Sequence, residues 1–249
     1  MSPFGRSFAD GDRLEVAGAR VTLKVNRRAR RVSLRLDRTR REIVATAPSA
    51  RRLGEAAAFA RERSRWIAER MAELPEARPL HPGMTISVFG EPVALERGTG
   101  RARWHPAAGG EPARITAMAD GLHGGEGFVR AVILVLKRRA AGVLGERTAA
   151  YAAMLGAPEP KVAVADAKGR WGSCRPGLRG GPPAIRYSWR LALAPYEVAD
   201  YVAAHECAHL LELNHGPKFW AHVKSLVGDP APHRAWLREE GAKLHAFGE

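Results

Sequence analysis

Apolar and polar positions alternate in short runs from Leu14 to Ala47: Leu14-Glu15-Val16, Val21-Thr22-Leu23-Lys24-Val25, Val32-Ser33-Leu34-Arg35-Leu36 and Ile43-Val44-Ala45-Thr46. A two-residue period puts one face of a strand in a core and the other in solvent. Polar turns separate the runs, so the stretch reads as an antiparallel meander. The period then lengthens. Pro48-Ser49 is expected to open a helix that carries Leu53, Ala57, Phe59, Ala60, Trp66, Ile67 and Met71 and runs to about Leu74. After a linker over 75–82, the runs 84–90 and 92–95 predict a hairpin, with weaker strands at 102–105 and 114–118.

Phe128 to Leu155 reads as a long apolar helix closed by Gly156, a residue suited to the left-handed turn after a helix. A strand at 161–165, a Gly/Arg-rich turn and a strand around 184–191 follow, then a helix opened by Ala194-Pro195-Tyr196-Glu197. Two more helices, at about 217–227 and 232–247, close the chain. No internal repeat is evident. The expected organisation is α+β: a disordered lead-in over 1–13, a β-rich N-terminal part with one helix over 14–122, and an α+β unit over 126–249. The boundary is expected in the Gly-rich segment Gly121-Leu122-His123-Gly124-Gly125.

The 249 residues suffice to bury a real core, and 45% hydrophobic with 27% charged residues is a globular composition. The longest apolar run, Val132-Ile133-Leu134-Val135-Leu136, is far too short to span a bilayer, so no membrane partner is expected. The N-terminus has no apolar run of the signal-peptide kind, and two cysteines, Cys174 and Cys207, make no disulfide framework; a reducing cytoplasm is the expected location. The net charge of +14 is concentrated early, at +10 within residues 1–70. Arg27-Arg28-Ala29-Arg30-Arg31 and Arg38-Thr39-Arg40-Arg41 make nucleic acid a candidate partner, against the plainer reading of a solvated basic hairpin. Few aromatics interleave with these arginines along the sequence, which counts against single-strand binding.

The chemistry is concentrated in His205-Glu206-Cys207-Ala208-His209, followed by His215. Imidazoles four apart on a helix share one face and can reach one metal ion, while the glutamate between them faces the same cavity without serving as a ligand. Val198, Tyr201, Val202, His205, His209 and Leu213 recur on one stripe, so the histidines turn inward. His215 joins them only if the helix stops first, and Asn214-His215-Gly216-Pro217 supplies the expected stop. A competing third ligand is Glu239 or Glu240 on the last helix. The plain alternative is a pair of buried, hydrogen-bonded histidines. Asp200, Glu212 and Asp229 are candidates to orient the ligand rings.

With these residues placed, the chain resembles the YgjP-like zinc metallopeptidases, relatives of the SprT-like proteases. The likeness runs through the Arg-rich hairpin, Ser64-Arg65-Trp66-Ile67, Arg170-Trp171-Gly172-Ser173-Cys174, Tyr187-Ser188-Trp189-Arg190-Leu191 and His215-Gly216-Pro217-Lys218-Phe219-Trp220. It implies a zincin fold, an active-site helix beside a small antiparallel sheet, and a substrate groove along an edge strand. It also implies Zn²⁺ held by His205, His209 and His215, with Glu206 as the catalytic acid/base. Trp171, Gly172, Ser173 and Cys174 are expected to line the groove as a turn, with Tyr187 either joining them or, on the plainer reading, buried with its hydroxyl satisfied, and the strand 185–189 to pair with an extended protein or peptide substrate. The metzincin pattern is absent: Glu212 stands where glycine makes that break. The expected activity is zinc-dependent peptide hydrolysis; the alternative is a nucleic-acid-associated SprT-like protease or a basic DNA-binding protein with a metal site.

Overall fold

The computed structural model describes residues 7–248 apart from 39, 168 and 178–180. Residues 1–6 of the expected lead-in lie outside these. Residues 9–12 are not loose: Gly11 N–H donates to the Leu23 carbonyl at 2.9 Å and Leu23 N–H to the Asp12 carbonyl at 2.8 Å. The chain divides into two compact units, Met1–Glu76 and Ala77–Glu249.

The first unit is a four-stranded sheet carrying two helices. Its strands are β1 (Arg13–Val16), β2 (Ala19–Val25), β3 (Ser33–Asp37) and β4 (Glu42–Ala47), in the order β1-β2-β4-β3. The expected meander is therefore overturned, since β4 inserts between β2 and β3 and runs parallel to β2. The burial pattern explains this. β4 is buried on both faces, as a central strand must be, whereas β3 alternates between exposed and half-buried and suits an edge. α1 (Leu53–Glu62) and α2 (Ser64–Ala72) replace the single expected helix. The break is at Arg63, whose backbone leaves the helical region (φ −96°, ψ 23°). Leu53, Ala56, Ala57, Ala60 and Ile67 close the core over Val21, Leu23, Ile43 and Ala45.

The second unit begins with a sheet of the same design: β5 (Thr85–Val88), β6 (Glu91–Arg97), β7 (Arg103–His105) and β8 (Ala113–Ala117), in the order β5-β6-β8-β7, with β6 and β8 parallel. The likeness extends to residues. Val16-x-Gly18-x-x-Val21-x-Leu23 corresponds to Val88-x-Gly90-x-x-Val93-x-Leu95, and all six side chains are buried. Both hairpins turn through a left-handed non-glycine residue followed by glycine: Ala17 (φ 51°) before Gly18, and Phe89 (φ 52°) before Gly90. An internal repeat is thus present where none was read from the sequence.

α3 (Gly125–Met154) follows, then β9 (Lys161–Ala165), β10 (Gly172–Arg175), β11 (Ala184–Ser188), and a 3-10 turn over Trp189–Leu193. α4 (Tyr196–Ala208), α5 (Pro217–Val227), α6 (Ala231–Glu239) and α7 (Gly241–Leu244) complete the unit. The boundary falls at Glu76/Ala77 rather than in the Gly-rich segment 121–125 because the second sheet shares its core with α4. Val88, Val93 and Leu95 belong to one cluster with Phe128, Val132, Ala203 and Ala204. The small sheet β10-β11-β9 is mixed rather than antiparallel, since β11 pairs with β9 in parallel and with β10 antiparallel. β11 is therefore the central strand, and the substrate pairing expected of 185–189 is blocked on both of its sides. The free edge beside α4 belongs to β10.

Candidate metal centre

α4 starts behind Pro195 and drives Val198, Tyr201, Val202 and Cys207 into the core, which turns His205 and His209 to the edge of the buried face. The helix ends earlier than the sequence suggests, at Ala208, with His209 as its cap. Hydrogen bonding tightens there: Leu210 N–H donates to the Cys207 carbonyl at 2.9 Å and Leu211 N–H to the Ala208 carbonyl at 3.2 Å. The His209 ring Nδ1 meets the Glu212 carbonyl at 3.0 Å and pins the turn. Leu213, expected on the inward stripe, is consequently 62% exposed. The chain reverses through Asn214 and Gly216, and Pro217 starts α5.

That reversal brings His215 to the other two rings. Ring centroids of His205, His209 and His215 lie 4.8–5.0 Å apart. One nitrogen from each falls within 4.8 Å of the others, and no other such cluster of His, Cys, Asp or Glu stands out among the described residues. Phe219, fully buried on α5, forms the floor, with its ring 4.6 Å from those of His209 and His215 and 4.9 Å from that of His205. The competing ligands are elsewhere engaged or absent from the cluster: Glu240 pairs with Lys243 Nζ at 2.6 Å, and Glu239 is not among the convergent groups.

The donor chemistry suits a divalent metal ion. Burial pushes the His205 imidazole down to about 4, helped by His209, His215 and Arg234, so this ring is neutral at physiological pH and has a lone pair to offer. Burial lowers His209 as well. Nδ1 of His209 is occupied by the Glu212 carbonyl, and Nδ1 of His205 faces the Tyr201 hydroxyl at 3.4 Å, which leaves Nε2 of each ring for a ligand. The expected orienting carboxylates do other work. Asp200 accepts from Arg147 Nε at 2.6 Å and from the Tyr151 hydroxyl at 2.7 Å, while Asp229 accepts the Ala231 N–H at 3.0 Å. Only Glu212 contributes, through its backbone.

Glu206 is 5% exposed and points at β10. Burial pushes its carboxyl up to about 7, opposed by the Arg170 charge and by a hydrogen bond from the Cys174 backbone N–H. Gly172 lies so close that a Cβ there would sit 2.5 Å from Glu206 Oε1. Gly172, Ser173 and Cys174 thus form an edge strand against the acid, not the turn expected of them. Trp171 is placed differently, and Tyr187 takes the plainer of its two expected roles. Trp171 packs its ring 5.0 Å from that of His245, and Tyr187 is fully buried with its hydroxyl 2.8 Å from Thr148 Oγ1. Arg170 and Arg234 were not singled out in the sequence. Arg234 stacks 4.6 Å from the Trp220 ring centroid, and His233 on the same helix stacks on Tyr201 at 5.7 Å, so α6 flanks the cluster with a positive charge. Cys207 is buried and its thiol lies 3.6 Å from the Thr148 carbonyl, consistent with a packing role.

A family model described as YgjP-like, metallopeptidase domain, matches residues 30–240. No curated protein and no solved structure matches the chain significantly. Among the described residues no helix is long and apolar enough to cross a membrane.

Proposed function

Because the chain belongs to the YgjP-like metallopeptidase family, we propose that it is a zinc-dependent peptidase working through His205, His209, His215 and Glu206. The single observation that carries this reading is the convergence of three imidazoles beside a buried carboxylate that is not one of them. Three imidazoles fit Zn²⁺ with one position left for water or substrate, and the bound ion would supply a water acidic enough to ionise near neutral pH. Glu206, raised to about 7 by burial, is matched to take a proton from a water and return it to a leaving amine. The Cys174 N–H and the missing side chain of Gly172 hold its carboxylate against the edge of β10. An extended peptide laid on that edge brings its backbone to the acid. Glu206→Gln is expected to retain the metal and to lose hydrolysis of a casein or peptide substrate by about a hundredfold or more. Hydrolysis by the metal-loaded variant at the rate of the unmodified protein would remove Glu206 as the base.

A second reading, association with nucleic acid, is favoured by one observation in the first unit. A groove of about 460 Å³ is lined by Arg31, Leu34, Phe59, Arg63 and Trp66 among others. The Arg63 guanidinium lies 5.4 Å from the Phe59 ring centroid. Phe59, Arg63 and Trp66 are already close in the sequence, and the fold adds Arg31 from the basic hairpin to the same groove. Salt-dependent oligonucleotide binding that disappears on neutralising Arg27, Arg28, Arg30 and Arg31 is the outcome this reading requires.

A further inference from the structure

Strand alternation splits the small sheet into two unlike faces. Cys174, Ile185, Tyr187 and Val162 turn toward the core. Ser173, Arg175, Arg186 and Lys161 turn the opposite way, and the three cations are exposed. Register stacks them side by side: Ser173 lies opposite Arg186, and Arg175 lies opposite Ala184, which in turn lies opposite Lys161. With Arg170 they line a groove of about 430 Å³ that has no carboxylate among its lining residues. The nearby Asp166 is engaged by Arg190 and by Trp189 Nε1. Among the described residues none of these four cations has a carboxylate of the chain within ion-pair distance, although the Arg170 charge also acts on Glu206.

The same strand, β10, carries Arg175 on this face and Glu206 against its edge. The Trp171 carbonyl accepts the Ser188 N–H at 2.8 Å, which assigns Ser173 and Arg175 to the hydrogen-bonded pairs with β11 and directs the backbone of Gly172 and Cys174 outward. The Cys174 N–H bond to Glu206 agrees with that assignment. A segment added along this edge would become a fourth strand, and every second side chain of it would emerge beside Ser173 and Arg175. No aromatic side chain is among the lining residues to stack a nucleobase, so the surface suits an extended peptide rather than a single-stranded nucleic acid.

We propose that this face sets substrate choice: Arg170, Arg175, Arg186 and Lys161 select extended segments with acidic side chains at alternate positions beside the scissile bond. The inference rests on the peptidase reading above and adds the substrate class to it. Like charges clustered in one groove repel, and a carboxylate that neutralises two or more of them gains most where basic or neutral peptides gain nothing.

The test compares three fluorogenic peptides of equal length, with Glu, Gln or Lys at alternate positions, on the zinc-loaded protein. The Glu peptide is expected to exceed the Gln peptide in kcat/KM by roughly tenfold at low salt, with the advantage shrinking as salt rises. Arg175→Glu/Arg186→Glu should reverse the order in favour of the Lys peptide, and Arg175→Lys/Arg186→Lys should keep it. Arg20→Glu/Arg51→Glu, which removes the same charge from the first unit, should leave the order intact. Equal rates on all three peptides, or an acidic preference that survives reversal or vanishes in the Arg20/Arg51 variant, overturns the proposal. If none of the peptides is cleaved, the peptidase reading fails, and anisotropy of the same peptides on Glu206→Gln protein decides the rest. Salt-sensitive capture of the Glu peptide, lost on reversal, upholds the acidic selectivity; equal or no capture of the three overturns it. Tighter capture of an oligothymidylate at this face, abolished by the same reversal, also overturns it.

Discussion

The α-carbon of Gly172 faces the carboxylate of Glu206 with no room between them for a methyl group: a Cβ at 172 would stand 2.5 Å from Oε1, 2.6 Å from Cγ and 2.7 Å from Cδ of Glu206. Both partners are fixed, one in a strand and the other on a buried helix face, so any side chain at 172 must displace the acid. Gly172→Ala is expected to lower kcat by about a hundredfold, the usual consequence of misplacing a reacting group by an ångström. Metal content, read by elemental analysis of the purified protein, should stay at the level of the unmodified protein, because the atoms a methyl group at 172 would meet first all belong to Glu206, which is not one of the three convergent groups.

The proposed ligands predict a signature of their own. His205→Ala, His209→Ala and His215→Ala are each expected to abolish stoichiometric zinc, whereas Glu239→Ala and Glu240→Ala should retain it. Retention by the His215 variant together with loss by either glutamate variant would reassign the third donor.

Phe219 supports all three rings at once. Phe219→Ala should destabilise the fold by about 3–5 kcal/mol, as for other fully buried phenylalanines, and be seen as a lowered melting temperature. Zinc affinity is expected to fall with it, since the floor that spaces the imidazoles is removed.

Neither cysteine should react readily in the folded protein. Burial and the neighbouring Glu206 charge push the Cys174 thiol up to about 11, and burial pushes Cys207 up to about 12. At pH 8 the thiolate fraction of Cys174 is then reduced by roughly two orders of magnitude against a free thiol. Titration with a disulfide reagent should show slow modification of the native protein and prompt reaction of both thiols in denaturant. Fast labelling of native Cys174 would contradict the packing described around it.

How far the sequence reaches depends on whether a feature is local. The spacing of His205 and His209 is a property of one helix, and both were legible, as were Glu206 and the restart at Pro217. The end of α4 at Ala208 was not. His209, Leu210, Leu211 and Glu212 include no helix breaker, and the turn is made by the His209 ring against the Glu212 carbonyl. β4 carried its signal in the apolar run Ile43–Ala47, but chain order suggested a meander, and only burial on both faces reveals a central strand. The repeat escaped notice because its matching residues are a few core and turn positions set among unrelated polar ones. Arg175 and Arg186 stand eleven positions apart and belong to no motif; pairing of β10 with β11 makes them neighbours.

His205 and His209 ride on a single rod, but His215 hangs from the loop beyond it and is the exposed member of the trio. A divalent ion held there would meet two donors at a spacing set by one helix and a third whose place is set by a loop. Ions of differing radius would then be expected to change the distance to His215 more than the distances to the other two.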